Sequence, residues 1–287
     1  MTQYVGWLRG CGTALVTPFT GTGAVDEKRF RALVERQIAA GVRVLVPCGT
    51  TGEAATLTAA ELERLIALTV ETARGRAKVL AGADALLLVA PYYNKPTQPG
   101  LAAHFRAVAQ AVGDSPVVLY NVPGRTASNL AATTTLALAR EVENIVGVKE
   151  ASGDLGQIMA ILRDRPAGFR VLSGDDAVTL PLIALGADGI VSVVSNETPD
   201  LMTNLTESAL RGDWEIAREL HYRLLPLMEA NFLESNPGPV KAALTAMGLL
   251  EEHVRLPLVP VQEQTRARVR AVLGALGLLP GAAHVAA

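Results

Sequence analysis

DEKRFRALVERQIAAGVRVLVPCG, residues 26–49, holds the pattern that decides the fold. Asp26 stands where a helix N-cap belongs, an amphipathic stretch follows, and Gly41 stands just past its end. The chain then enters VRVLVPCG (42–49), a Val/Leu-rich run. Runs of this kind read as strands covered on both faces, hence as members of a parallel sheet. TAAELERLIALTVETARG (58–75) repeats the helical form directly afterwards. Working outward, similar apolar runs are TALVTPF (13–19), KVLAG (78–82), ALLLVAP (85–91), PVVLYN (116–121), IVGVKE (145–150), RVLSG (170–174) and GIVSVVSN (189–196). Eight β segments alternating with helical patterns predict a (β/α)8 TIM barrel over 1–212. A doubly wound open sheet is the competing arrangement, but no GxGxxG follows the first strand.

After residue 212 the strand signal stops. DWEIARELHYRLLPLMEANFLE (213–234), PVKAALTAMGLL (239–250) and VQEQTRARVRAVLGALG (261–277) read as helices. Residues 213–287 are therefore expected to form a helical C-terminal domain, with the tail PGAAHVAA (280–287) frayed. One place breaks the alternation. The third strand ends at Gly82 and the fourth begins near Ala85, too close for a parallel crossover, which takes a dozen residues or more. The helix expected there, helix 3 of a regular barrel, is missing. Either the barrel adapts or a segment has been lost.

Composition narrows the function classes. The 287 residues are 49% hydrophobic, with 26 basic and 28 acidic side chains and a formal net charge of −2. With no basic stripe, nucleic acid is not expected as a partner. No apolar run approaches the roughly 18 residues of a membrane span, and MTQYVGWLRG lacks the apolar core of a signal peptide. Cys11 and Cys48 are isolated and expected to stay reduced, which fits a cytoplasmic protein. The four histidines are scattered without metal-ligand spacing, so neither a metal nor another cofactor is expected.

In a barrel of this kind chemistry sits at the C-terminal ends of the strands. Those ends offer Thr50 and Thr51, Tyr92 and Tyr93, Tyr120 and Arg125, and Lys149. An amine among apolar walls is desolvated, which disfavours its charged form. A neutral amine forms a Schiff base with a carbonyl substrate, and the iminium then serves as an electron sink. Of the five lysines, Lys28 lies in the first turn of an amphipathic helix and Lys78 at the wrong rim. Lys95 lies in a polar loop, and Lys241 begins a helix after NPGP. Lys149 alone closes an apolar strand at the active rim. Competing structural readings stand beside these: an ion pair of Lys149 with Glu150 or a nearby acid, a core Tyr120, turn-forming Thr50 and Thr51, and a solvated Arg125.

GTTGEAATL (49–57), PYYNKPTQPGL (91–101), LYNVPGRT (119–126), GVKEASGD (147–154), LSGDD (172–176), GADGIVSV (186–193) and NPGPVKAAL (236–244) together resemble the dihydrodipicolinate synthase family. That family is a branch of the pyruvate-dependent class I aldolase superfamily, and the resemblance spans nearly the whole chain. It implies that Lys149 is the Schiff-base lysine, that Tyr120 shuttles protons, and that Thr50 links Tyr120 to Tyr93 in a relay. In the family the tyrosine matched by Tyr93 reaches in from a neighbouring subunit. Thr51 would hold the pyruvate carboxylate and Arg125 the carboxylate of the second substrate, while Gly174 and Val191 line the pocket near the lysine. The implied reaction condenses pyruvate with aspartate semialdehyde in lysine biosynthesis, in a homotetramer built as a dimer of tight dimers. An aldolase or lyase acting on a 2-keto sugar acid is the alternative within the superfamily. A truncated barrel that binds without turnover is the non-enzymatic one. The missing helix, with Ala59 and Leu62 where lysine-sensitive members often carry polar side chains, leads us to expect weak or absent feedback inhibition by lysine and an apolar groove on the barrel exterior.

Overall fold

The computed structural model describes residues 5–281; part of the tail expected to fray, 282–287, lies outside them. The elements run β1 (Gly10–Ala14), α1 (Glu27–Ala39), β2 (Val44–Val46), α2 (Ala59–Ala73), β3 (Lys78–Val79), β4 (Leu86–Val89), α3 (Gln98–Ala111), β5 (Val117–Asn121), α4 (Pro123–Thr126) and α5 (Ala132–Glu141). They continue with β6 (Ile145–Glu150), α6 (Leu155–Asp164), β7 (Arg170–Ser173), α7 (Thr179–Ala184), β8 (Gly189–Ser192), α8 (Pro199–Arg211), α9 (Trp214–Ala230), α10 (Gly238–Ala246) and α11 (Glu263–Ala275). The eight strands lie in the order β3-β2-β1-β8-β7-β6-β5-β4, and every laddered pair is parallel. This is the (β/α)8 barrel expected, with helices beyond α8.

The strands bury two layers. Ala14, Val44, Val46, Leu80, Val118, Val146, Leu172 and Val191 pack inside the barrel, where Val5 and Leu8 join them ahead of β1. Leu119, Val148 and Val171 face outward onto Phe105, Leu138, Ile158 and Ile161 of the surrounding helices. The inside–outside alternation follows from the two-residue period of a strand, interrupted in β6 by a register shift at Val146 that leaves Val146 inside and Val148 outside. β1 starts earlier than the expected 13–19: GCGTA is fully buried and pairs with both β2 and β8. Its two glycines carry no strand propensity, so tertiary pairing selected it.

No helix joins β3 to β4, and the barrel adapts to that. Among the described residues only one parallel bridge, Leu80 to Ala85, links the two strands. Gly82 turns the chain with φ +98°, its N–H donating to Ala85 O at 2.8 Å. The Asp84 carboxylate accepts from Val79 N at 2.8 Å, an N–H that a neighbouring strand would otherwise satisfy, and from Lys78 Nζ at 2.7 Å. A short turn is thus possible because the ladder is given up there. Val70 on α2 is 44% exposed and Val89 39%, while Leu86 and Leu88 are only half-buried. These are the apolar exposures expected where a covering helix is absent.

Candidate active site

Strand register sets the centre of the site. Tyr120 on β5 is the register partner of Lys149 on β6. Both are buried, and Lys149 Nζ lies 4.2 Å from the centroid of the Tyr120 ring. Glu150, one residue on, points to the opposite face. Its carboxylate accepts from Asn121 Nδ2 at 3.1 Å, Ser152 N at 2.8 Å and Gln157 Nε2 at 3.2 Å. Burial raises its pKa and those hydrogen bonds pull it back. The expected competitor, a Lys149–Glu150 ion pair, is therefore not formed: adjacent strand residues face opposite sides.

Gly174, just past β7, leaves room for the lysine stem. A Cβ there would stand 3.0 Å from Lys149 Cε and 2.6 Å from Ala151 Cβ. Val191 on β8 is buried in the inner layer. Thr51 is buried, and its Oγ1 accepts from Asn236 Nδ2 at 2.9 Å. The backbone carbonyl of the same Asn236 accepts from Arg125 Nη2 at 3.3 Å. Thr51 and Arg125 are thus tied through one residue, with the Arg125 side chain open to solvent on α4.

Thr50 and Tyr93 are not buried with this cluster. Thr50 is exposed, and Tyr93 is 92% exposed on a left-handed backbone with φ +72°. Within one chain Tyr93 therefore touches nothing of the site. Among the described residues there is no group of three or more His, Cys, Asp or Glu that could hold a metal ion.

A second buried lysine escaped the sequence reading. Lys241 is fully buried, in an ion pair with Glu53, and donates to His253 O at 2.8 Å. Its Nζ lies 4.2 Å from the Phe19 ring centroid. Burial pushes its pKa down to about 8 against the opposing pull of Glu53. The available signal was a lone ammonium group inside the apolar stretch GPVKAALTA. That is the same clue that singled out Lys149.

The chain matches the model of the dihydrodipicolinate synthetase family over residues 7–83 and 80–276. The two matched segments meet where β3 turns into β4. A 4-hydroxy-tetrahydrodipicolinate synthase of Koribacter versatilis is 51% identical over 296 aligned positions, covering 96% of this chain and 98% of the relative. That alignment is longer than the 287-residue chain itself, so the relative carries segments that this chain lacks. Among solved structures, dihydrodipicolinate synthase from Thermotoga maritima superposes with a TM-score of 0.92 at 41% identity, covering 94% of this chain and 99% of that one. The chloride-inhibited dihydrodipicolinate synthase of Acinetobacter baumannii, complexed with pyruvate, superposes with a TM-score of 0.91 at 40% identity, covering 95% and 100%.

Proposed function

Because the chain belongs to the dihydrodipicolinate synthetase family, we propose that it works as a 4-hydroxy-tetrahydrodipicolinate synthase, a lyase of the class I aldolase type that joins pyruvate to aspartate semialdehyde. The observation that carries the reading is the Lys149 amine set over the Tyr120 ring on the inner face of two adjacent strands. The three relatives described above are synthases, and the sugar-acid aldolase has no comparable observation in its favour.

In this reading the Lys149 amine adds to the keto carbon of pyruvate. The resulting hydroxyl leaves as water on a proton supplied through Tyr120, and the C=N bond forms. The cationic imine draws electrons from the neighbouring methyl carbon, which loses a proton and attacks the aldehyde carbon of the second substrate. The amino group of that substrate then displaces Lys149 from the imine carbon, which closes the ring and returns the lysine. Thr51 holds the pyruvate carboxylate, and the exposed Arg125 receives the carboxylate of aspartate semialdehyde. Gly174 and Val191 shape the pocket. Thr50 and Tyr93 extend the proton path, with Tyr93 acting across an interface between subunits.

The exposure of Tyr92 and Tyr93 supports such an interface, and exposed Leu155, Met159 and Leu185 on and beside α6 and α7 supply a second apolar face. A homotetramer uses both. Residues 1–212 form the catalytic unit in this reading, and 213–287 a helical domain packed on it. Two free cysteines support a cytoplasmic location, and no helix among the described residues is long and apolar enough to cross a membrane.

The test is borohydride reduction of the chain with pyruvate, followed by peptide mapping. The adduct is expected on Lys149. An adduct that persists on Lys149→Ala would assign the chemistry to another lysine.

A further inference from the structure

The turn that carries Thr50 and Thr51 is strained at both ends. Cys48 and Glu53 each adopt φ +56°, a left-handed backbone that non-glycine residues hold only when their surroundings impose it. Inside the turn Gly52 N donates to Gly49 O and Glu53 N to Thr50 O, both at 3.0 Å. Thr17 Oγ1 ties down Gly52 O at 2.8 Å.

Glu53 is where the turn is held from outside the site. Its side chain is fully buried, with one carboxylate oxygen taking the Lys241 ammonium and the other the Arg255 backbone N–H at 3.0 Å. Lys241 in turn is oriented by the Glu53 carboxylate, His253 O and the face of Phe19. It stands on α10, five residues after Asn236, which donates to Thr51 and accepts from Arg125. One short segment, 236–241, therefore holds the turn at two points: the Thr51 hydroxyl directly, and Glu53 through the ion pair.

We propose that Glu53 and Lys241 are positioning residues, a buried clamp that locks the 48–53 turn to α10 and so holds Thr51 in place for the carboxylate of the keto acid. The proposal rests on the synthase reading above. A buried ion pair is a weak source of net stability, and replacing both partners with apolar groups of similar size is often neutral or stabilising. What apolar replacements lack is direction. They would fill the same space while releasing the left-handed turn from its anchor.

That difference makes the clamp testable apart from folding. Borohydride trapping with pyruvate is run on the unaltered full-length chain and on the double variant Glu53→Leu/Lys241→Met, as a function of pyruvate concentration. Failure of the unaltered chain to form the Lys149 adduct sinks the synthase reading itself. Given that adduct, the clamp predicts that the folded double variant needs at least about tenfold more pyruvate for half-maximal trapping. The adduct level at saturation should stay unchanged. A purely structural pair predicts the same half-saturation in both proteins, and that result overturns the proposal while leaving the synthase reading intact. Glu53→Gln keeps the shape and one acceptor, and supplies the same readout should the double variant fail to fold.

Discussion

Tyr120 and Lys149 face each other across the β5–β6 ladder, and the lysine nitrogen stands 4.2 Å from the centre of the tyrosine ring. Parallel register places them side by side on the inner face, so neither residue depends on a mobile loop for its position. In the synthase reading, the Tyr120 hydroxyl serves atoms bound to that nitrogen.

Tyr120→Phe removes the hydroxyl and keeps the ring beneath Lys149. We expect kcat to fall by roughly 10²–10⁴, the usual worth of general acid–base help, with the melting curve little changed. Steady-state kinetics beside thermal unfolding checks this. Full activity in a folded variant would remove Tyr120 from the proton path.

Gly174→Ala tests how closely the pocket wall follows the lysine. The added methyl meets Ala151 Cβ at 2.6 Å and Lys149 Cε at 3.0 Å, so one of them must move. Overpacking of this kind costs about 1–3 kcal/mol. We expect a lower midpoint in urea and slower trapping of pyruvate. A variant with unaltered stability and trapping rate would mean that the wall yields without disturbing Lys149.

Lysine should inhibit weakly or not at all. The segment between β3 and β4 is only six residues, 80–85, tied by Asp84, and Ala59 and Leu62 offer no polar side chain. Calorimetric titration should give no binding tighter than about 1 mM, roughly −4 kcal/mol. Tighter binding with matching inhibition contradicts this expectation.

Acid should act through Glu61. Its carboxylate caps the start of α2 by accepting from Thr58 N at 2.9 Å, and it takes both Arg255 guanidinium nitrogens at 2.6 and 2.9 Å. Arg255, more than the cap, lowers its pKa from 4.5 to about 2. Between those values the unfolded chain binds more protons than the folded one. The stability it contributes is thus complete above pH 4.5 and lost as pH falls toward 2. The gap in melting temperature between the unaltered chain and Arg255→Met should shrink over that range. A gap that stays constant would place the acid sensitivity elsewhere.

Much of the fold was legible because strand and helix signals are local. IVGVKE forms the strand its pattern predicts, since a chain covered on both faces shows its burial in consecutive apolar residues. β1 begins three residues before the strand that the sequence predicts, because GCGTA has no such signal and becomes a strand only between β2 and β8. Part of the site was legible for the same local reason: an amine that ends an apolar strand is conspicuous. Asn236 and Glu53 were not, since each earns its place through a partner far along the chain.

Sequence alone therefore determined the alternation of strands and helices, the absent helix after β3, and the family motifs that Lys149, Tyr120 and Arg125 sit in. Tertiary structure decided that the gap closes with one bridge and an aspartate, that Tyr93 points into solvent, and that Lys241 is as deeply buried as any apolar side chain. The physical reason is range. Strand and helix patterns are written within a few residues, whereas the burial of a charge depends on what meets it, and Glu53 meets Lys241 from 188 residues away.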